Sequence, residues 1–123
     1  MRQTRPKNLN LFTIHFPIPA IVSILHRISG VILFLLIPFF LFMLSCSLTP
    51  SGFEQCHEWL SSPVFKVLVW LYTVPLCFHL VAGIRHLLSD IHIGDSRQGG
   101  RITSYLTFFF SALLIILTGI WIW

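Results

Sequence analysis

Charged residues are scarce in this chain of 123 residues: only 10% are Asp, Glu, Lys or Arg, whereas 55% are hydrophobic. Soluble domains carry about 25% charged residues, so this composition excludes an ordinary soluble domain and favours a chain built for lipid. The net charge of +4 is small and lies at the ends of the apolar segments, where it reports membrane topology. A nucleic-acid-binding surface is therefore not expected.

Cysteine is also rare, with three residues, and no CxxC motif occurs. The missing motif disfavours a thioredoxin-type redox centre and a zinc ribbon, and an iron–sulfur cluster usually needs four thiolates. Cys46 and Cys56 could meet near one membrane face, although we expect both to serve as small apolar residues. A CxxCH motif is missing too, so any haem would be non-covalent and b-type.

Three long apolar stretches are present, and they predict membrane spans. Each exceeds the ~20 residues needed to cross about 30 Å of hydrocarbon. Helices are expected, because a small open sheet leaves backbone groups without hydrogen bonds in lipid. The sequence thus predicts an all-α integral membrane protein, a single membrane-anchor domain over residues 1–123, with spans at 21–48, 64–88 and 102–123.

Basic residues cluster before the first span and after the second, whereas the intervening loop holds Glu54 and Glu58 and no Lys or Arg before Lys66. The positive-inside rule then predicts an N-terminus and a second loop in the cytoplasm (or a mitochondrial matrix) and a C-terminus on the outer, periplasmic side. The polar segment before the first span and the first apolar run are both too long for a cleaved signal peptide. The clustered basic residues are Arg2, Arg5 and Lys7, with Arg27 at the start of the first span, and Arg97 and Arg101, with Arg85 near the end of the second.

Local signals refine this layout. Residues 51–54 match a capping box and predict a short interfacial helix in the outer loop. Ser62 and Pro63 suit the cap and first turn of the second span. Pro38 and Pro75 lie inside spans, where neighbouring helices can satisfy the freed carbonyl groups, and we expect kinks there.

Polar residues form two stripes, one at the start of the first span and one at the end of the second. The spacings i, i+3, i+4, i+7 and i, i+4, i+7, i+11 each place a stripe on one helical face. If the two spans are antiparallel neighbours, both faces can turn toward a shared site near the cytoplasm. The stripes are Ser23, His26, Arg27 and Gly30, and His79, Gly83, His86 and Asp90.

His79 is the deepest ionisable residue of these stripes. It lies six residues before Arg85, about 9 Å further into the span. Ionisable groups inside spans usually mark function, and a neutral imidazole is a good ligand for haem iron. Gly83 would leave space for a flat macrocycle or for a close helix. The alternative is that His79 bonds a neighbouring helix and Gly83 is a packing glycine.

The chain offers no second histidine at this depth. A six-coordinate haem would therefore need its other ligand from a partner chain, which predicts a heteromeric helical bundle. His26 and Arg27 could meet the anionic haem propionates near the aqueous side.

Ser23 and Arg27 lie one turn apart and suit a quinone. A hydroxyl can donate to a quinone carbonyl, and a guanidinium can stabilise negative charge that develops on its oxygen. The alternatives are that Arg27 is a topogenic, snorkelling charge and that the Ser23 hydroxyl bonds its own helix.

Three segments of the chain resemble the cytochrome b556 membrane-anchor subunit of bacterial succinate dehydrogenase, respiratory complex II. The shared patterns are an RP pair, S-x-x-H-R-x-[ST]-G, and H-x-x-x-G-x-R-H followed shortly by Asp. The length and the three-span layout agree as well, so the resemblance covers nearly the whole chain. The segments are RPKNLNL (5–11), FPIPAIVSILHRISG (16–30) and HLVAGIRHLLSD (79–90).

The resemblance implies specific roles. His79 would be an axial ligand of haem b; Ser23 and Arg27 would line the ubiquinone site; and His26, Arg27 and His86 would lie near the haem. Gly83 and Asp90 are further candidates from the same motif. The second axial histidine would come from another anchor subunit. An FAD flavoprotein and an iron–sulfur subunit would complete the enzyme, which passes electrons from succinate to ubiquinone at the bacterial inner membrane.

Three other functions are alternatives to this one. A fumarate reductase anchor working with menaquinol fits nearly as well, although the SILHR motif favours the succinate side. A scaffold that recruits soluble subunits without a cofactor is a second alternative. A small transporter or channel is disfavoured, because the third span has no ionisable residue and the polar groups cluster at one membrane face.

Overall fold

The computed structural model describes residues 14–94 and 96–123, and this part of the chain forms four α-helices. Three of them are long and apolar enough to cross a membrane, which confirms the all-α class and the three predicted spans. The first and last helices begin earlier than predicted, at Ile18 and Arg97. The helices are α1 (Ile18–Ser47), α2 (Pro50–Ser61), α3 (Pro63–Asp90) and α4 (Arg97–Ile122).

The short helix α2 has its N-cap two residues before Ser51, the first residue of the predicted capping box, so that prediction was wrong in detail. Its N-cap is Thr49, whose Oγ1 accepts a hydrogen bond from the Gly52 amide at 3.2 Å. The reason is Pro50, whose fixed φ suits the first helical position and makes the preceding threonine the cap. The predicted cap of α3 is confirmed: Ser62 is the N-cap, although its side chain makes no capping bond.

Helices α1 and α3 continue through their internal prolines, Pro38 and Pro75. All three cysteines lie in the described part of the chain and are free thiols. Cys56 is buried where α2 lies against α1, with its sulfur 4.0 Å from the Met43 carbonyl oxygen. Cysteine thus serves in packing here, as expected.

Helix α3 is central and packs against α4 most extensively, then against α1. The buried face of α4 carries small hydroxyl residues, Ser104, Thr107 and Ser111, which let the helix backbones approach closely. Trp70 of α3 donates from Nε1 to the Ile115 carbonyl oxygen at 3.0 Å. These contacts fix α4 beside α3, and α1 packs against both of these helices.

Most large apolar side chains point away from the bundle. Phe34, Leu35 and Trp121 are 70%, 68% and 86% exposed. In a bilayer such surfaces meet lipid tails or other membrane helices, so they incur no hydrophobic penalty there.

Candidate functional site

Helices α1 and α3 bring three histidines together. The rings of His26 and His79 are stacked, with centroids 4.1 Å apart and planes inclined by 15°. The ring of His86 lies 5.0 Å from His26 and is tilted by 46°. The two polar faces therefore meet as expected for these three residues, which we call the histidine cluster.

His79 is held by two hydrogen bonds at one ring nitrogen. Its Nδ1 lies 3.0 Å from the Ser29 hydroxyl oxygen and 3.1 Å from the His26 carbonyl oxygen. The Ser29 hydroxyl already donates to that same carbonyl at 2.8 Å. Because a carbonyl oxygen only accepts, its hydrogen bond to His79 requires the proton on Nδ1, and the Ser29 oxygen can accept the same proton.

The other nitrogen of His79 is consequently the basic one. With the proton on Nδ1, Nε2 keeps its lone pair, and it makes no hydrogen bond to any residue of the described chain. A half-buried imidazole oriented in this way presents one nitrogen donor for a metal ion.

Two glycines create the room for the histidine cluster. A Cβ atom on Gly30 would lie 3.0 Å from Cε1 of His79, and one on Gly83 would lie 3.4 Å from Nε2 of His26. Each helix therefore has a glycine opposite the other helix's histidine. The space beside Gly83 holds the imidazole of His26 from the neighbouring helix, so in this structure Gly83 allows α1 and α3 to approach closely.

Replacing Gly30 with alanine is expected to lower the free energy of unfolding by about 1 kcal/mol. The added methyl group would press on the His79 ring, which cannot move away easily because its Nδ1 is hydrogen-bonded. The matched change Gly83→Ala meets His26 at a looser distance and is expected to be nearly neutral. Thermal melting of the purified chain in detergent, followed by circular dichroism, compares the two. Equal melting temperatures for both variants would contradict this account of the glycines.

The structure does not bring every predicted residue to the cluster. Ser23 is half-buried beside it, whereas Arg27 and Asp90 are exposed. Arg27 follows His26 directly, so the two side chains leave the helix about 100° apart. Arg27 is exposed, and it makes no ion pair or hydrogen bond within residues 14–94 and 96–123.

With the geometry described, the family can be assigned. Residues 1–118 match the family described as succinate dehydrogenase/fumarate reductase transmembrane subunit. The chain belongs to this family. It is 42% identical to the "Succinate dehydrogenase cytochrome b556 subunit" of Coxiella burnetii, with both chains covered completely.

Two further relatives of this transmembrane subunit have the same name. That of Rickettsia prowazekii is 34% identical over 92% of this chain and 89% of its own, and that of Paracoccus denitrificans is 29% identical over 95% and 91%. These matches confirm the resemblance drawn from the three segments. The first of those segments, RPKNLNL, lies outside the described residues.

Ser29 is the residue of this site to which sequence reasoning gave no role. It appeared only as one position of the family pattern, although it is buried and bonds both His26 and His79. Its spacing, three residues after His26 on the same helix, was the available signal. Its partner on α3 could not be read from that spacing.

The histidine cluster is not a closed metal centre in the described part of the chain. Within the described ranges, no group of three or more His, Cys, Asp or Glu side chains is arranged to hold an ion. The rings of His26 and His79 stack face to face instead of converging on one point.

Proposed function

We propose that this chain is a membrane-anchor subunit of a succinate dehydrogenase. In this role it binds haem b together with a second anchor subunit, helps to form the ubiquinone-reduction site, and tethers the flavoprotein and iron–sulfur subunits. The observation that carries the proposal is the open Nε2 of His79, held inside a span of a chain whose relatives are named cytochrome b556 subunits.

The residues present fit haem b. His79 would be an axial ligand through Nε2, and its Nδ1–H already donates to a carbonyl and a hydroxyl, as metal-bound histidines usually do. His26 and His86 lie beside it and could donate to the anionic propionates. When bound, the haem supplies one-electron redox chemistry.

If a second histidine binds the haem, another chain would supply it. His26 lies flat against His79, so it cannot also lie across an iron atom from it. His86 is seven residues further along the same helix, a separation of about 10 Å. Neither histidine of the cluster can oppose His79, which supports a haem shared between two anchor subunits.

Ser23 and Arg27 are proposed to line the quinone site. The Ser23 hydroxyl would donate to a quinone carbonyl, and the Arg27 guanidinium would stabilise negative charge on its oxygen. Arg27 is exposed and has no partner within the described chain, so it can serve a bound molecule. Quinone reduction also takes up two protons, which a site at the cytoplasmic end can draw from water.

The N-terminus is proposed to be cytoplasmic and the C-terminus periplasmic, in the bacterial inner membrane. Residues 16–19, at the start of α1, line one cavity with Arg97 and Arg101, at the start of α4. These basic residues therefore lie at the same end of the bundle as the start of α1, as the positive-inside rule requires. Asp90 ends α3 at this same end and is a further candidate for contact there.

The family description covers fumarate reductases as well, so an anchor of a quinol:fumarate reductase is the second candidate. The two functions share the site and differ in direction and quinone.

Deleting the gene for this chain tests the proposed assembly. Dye-linked succinate oxidation is expected to move from the membrane fraction to the soluble fraction, while succinate–ubiquinone reductase activity is lost. Re-expression of the chain should restore both. Membranes that keep full succinate–ubiquinone activity without the chain would contradict the proposal, and loss of menaquinol–fumarate activity instead would favour the second candidate.

A further inference from the structure

The hydroxyl group of Ser29 lies directly behind the proposed haem ligand. The residue is 5% exposed, and its oxygen is 3.0 Å from Nδ1 of His79. We propose that Ser29 is a positioning residue that fixes the tautomer of His79 and strengthens Nε2 as a donor to haem iron. This inference rests on the proposed function, and it gives Ser29 a role in haem binding in addition to that of His79.

Ser29 is the better of the two acceptors available to His79. The His26 carbonyl oxygen receives the Ser29 hydroxyl at 2.8 Å as well as His79, and in an α-helix it also faces the amide of residue 30. Three donors therefore share its two lone pairs. The Ser29 oxygen has a lone pair to spare, and donating its own proton makes it a stronger acceptor.

The hydrogen bond between Ser29 and His79 is expected to affect the redox potential of the haem iron. A hydrogen bond from Nδ1–H raises the basicity of Nε2, and a more basic ligand stabilises ferric over ferrous haem. Removing the Ser29 hydroxyl should therefore raise the midpoint potential of the haem. Loss of a partner behind a metal-bound histidine typically weakens metal binding by about 10- to 100-fold, so weaker haem retention is expected too.

The chain contains a matched control. Ser111 is a buried serine on α4, 3% exposed, whose hydroxyl has no hydrogen-bond partner in the described part of the chain. Ser111→Ala removes the same atom from a buried serine on another helix, whose hydroxyl makes no hydrogen bond to the histidine cluster. Ser29→Thr keeps a hydroxyl at position 29 and serves as the conservative rescue.

The experiment is a potentiometric titration of the haem absorbance in purified complexes. Ser29→Ala is expected to raise the midpoint potential and to lose haem about 10-fold more readily on dilution, whereas Ser29→Thr and Ser111→Ala should match the wild type. A Ser29→Ala complex with wild-type potential and haem retention would overturn the inference.

If Ser29→Ala does not assemble, Ser29→Cys, with a weaker acceptor of similar size, must raise the potential in the same direction, and an unchanged potential would overturn the inference. A wild-type complex that carries no haem would instead contradict the proposed function, so the two failures are distinguishable.

Discussion

Complexes carrying His79→Ala are expected to retain less than about a tenth of the wild-type haem, because even losing a partner behind a metal-bound histidine weakens binding about 10- to 100-fold. The change removes Nε2 of His79, which makes no hydrogen bond within the described chain and is the proposed donor to the iron. His26 cannot replace it from its stacked position, 4.1 Å away. Haem content per flavin is the quantity to measure.

The control for this change is His57→Ala, which removes an exposed histidine from α2, outside the cluster. This variant should keep the haem content of the wild type. Co-purification of the other subunits must be checked in both variants, so that loss of haem is separated from loss of assembly. An assembled His79→Ala complex with normal haem would show that another residue is the ligand.

Replacing Arg27 with alanine is expected to lower succinate–ubiquinone reductase activity by about 100-fold while dye reduction by the soluble subunits survives. Removing one donor that stabilises developing charge typically costs about 10²–10³ in rate. Arg27 fits such a donor, because its charge is exposed near the start of α1, the end proposed to be cytoplasmic, and is unpaired within the described chain. Arg27→Lys should give intermediate activity, since it keeps the charge and loses the planar fork.

Arg101→Ala is the matched control for charge and topology. Arg101 is also exposed, and it lies in the early part of α4, at the cytoplasmic end of the proposed bundle. Removing it should leave quinone reduction near the wild-type level if the role of Arg27 is specific. If Arg27→Ala instead lowers dye reduction and quinone reduction equally, Arg27 supports assembly rather than the quinone.

The spans could be predicted because length and apolarity alone decide them. Runs without charge, such as 102–123, have no other stable arrangement in lipid than a helix. The first and last residues of the helices were predicted less accurately, because hydrophobicity does not specify the capping residues. Pro50 moved the start of α2, and polar residues from Arg97 onward extended α4 beyond its apolar run.

The part of the candidate site that depends on residue spacing within one helix could be predicted from the sequence. His26 and His79 could be placed on facing stripes, because the 3.6-residue period fixes which residues share a face. The contact between Ser29 and His79 depends on the register of α1 against α3, which no single-helix pattern contains. The sequence placed Arg27 on the same face as His26, whereas in the structure His26 lies in the cluster and Arg27 is exposed.

We propose that this chain holds haem b inside an assembled succinate dehydrogenase. The most direct test of this proposal is the reduced-minus-oxidised absorption spectrum of the complex purified through this chain, recorded with flavin and haem quantified in the same sample. The account predicts a b-type α-band and one haem for each flavin, with flavoprotein and iron–sulfur subunits present. A fully assembled native complex with flavin and no haem would contradict it.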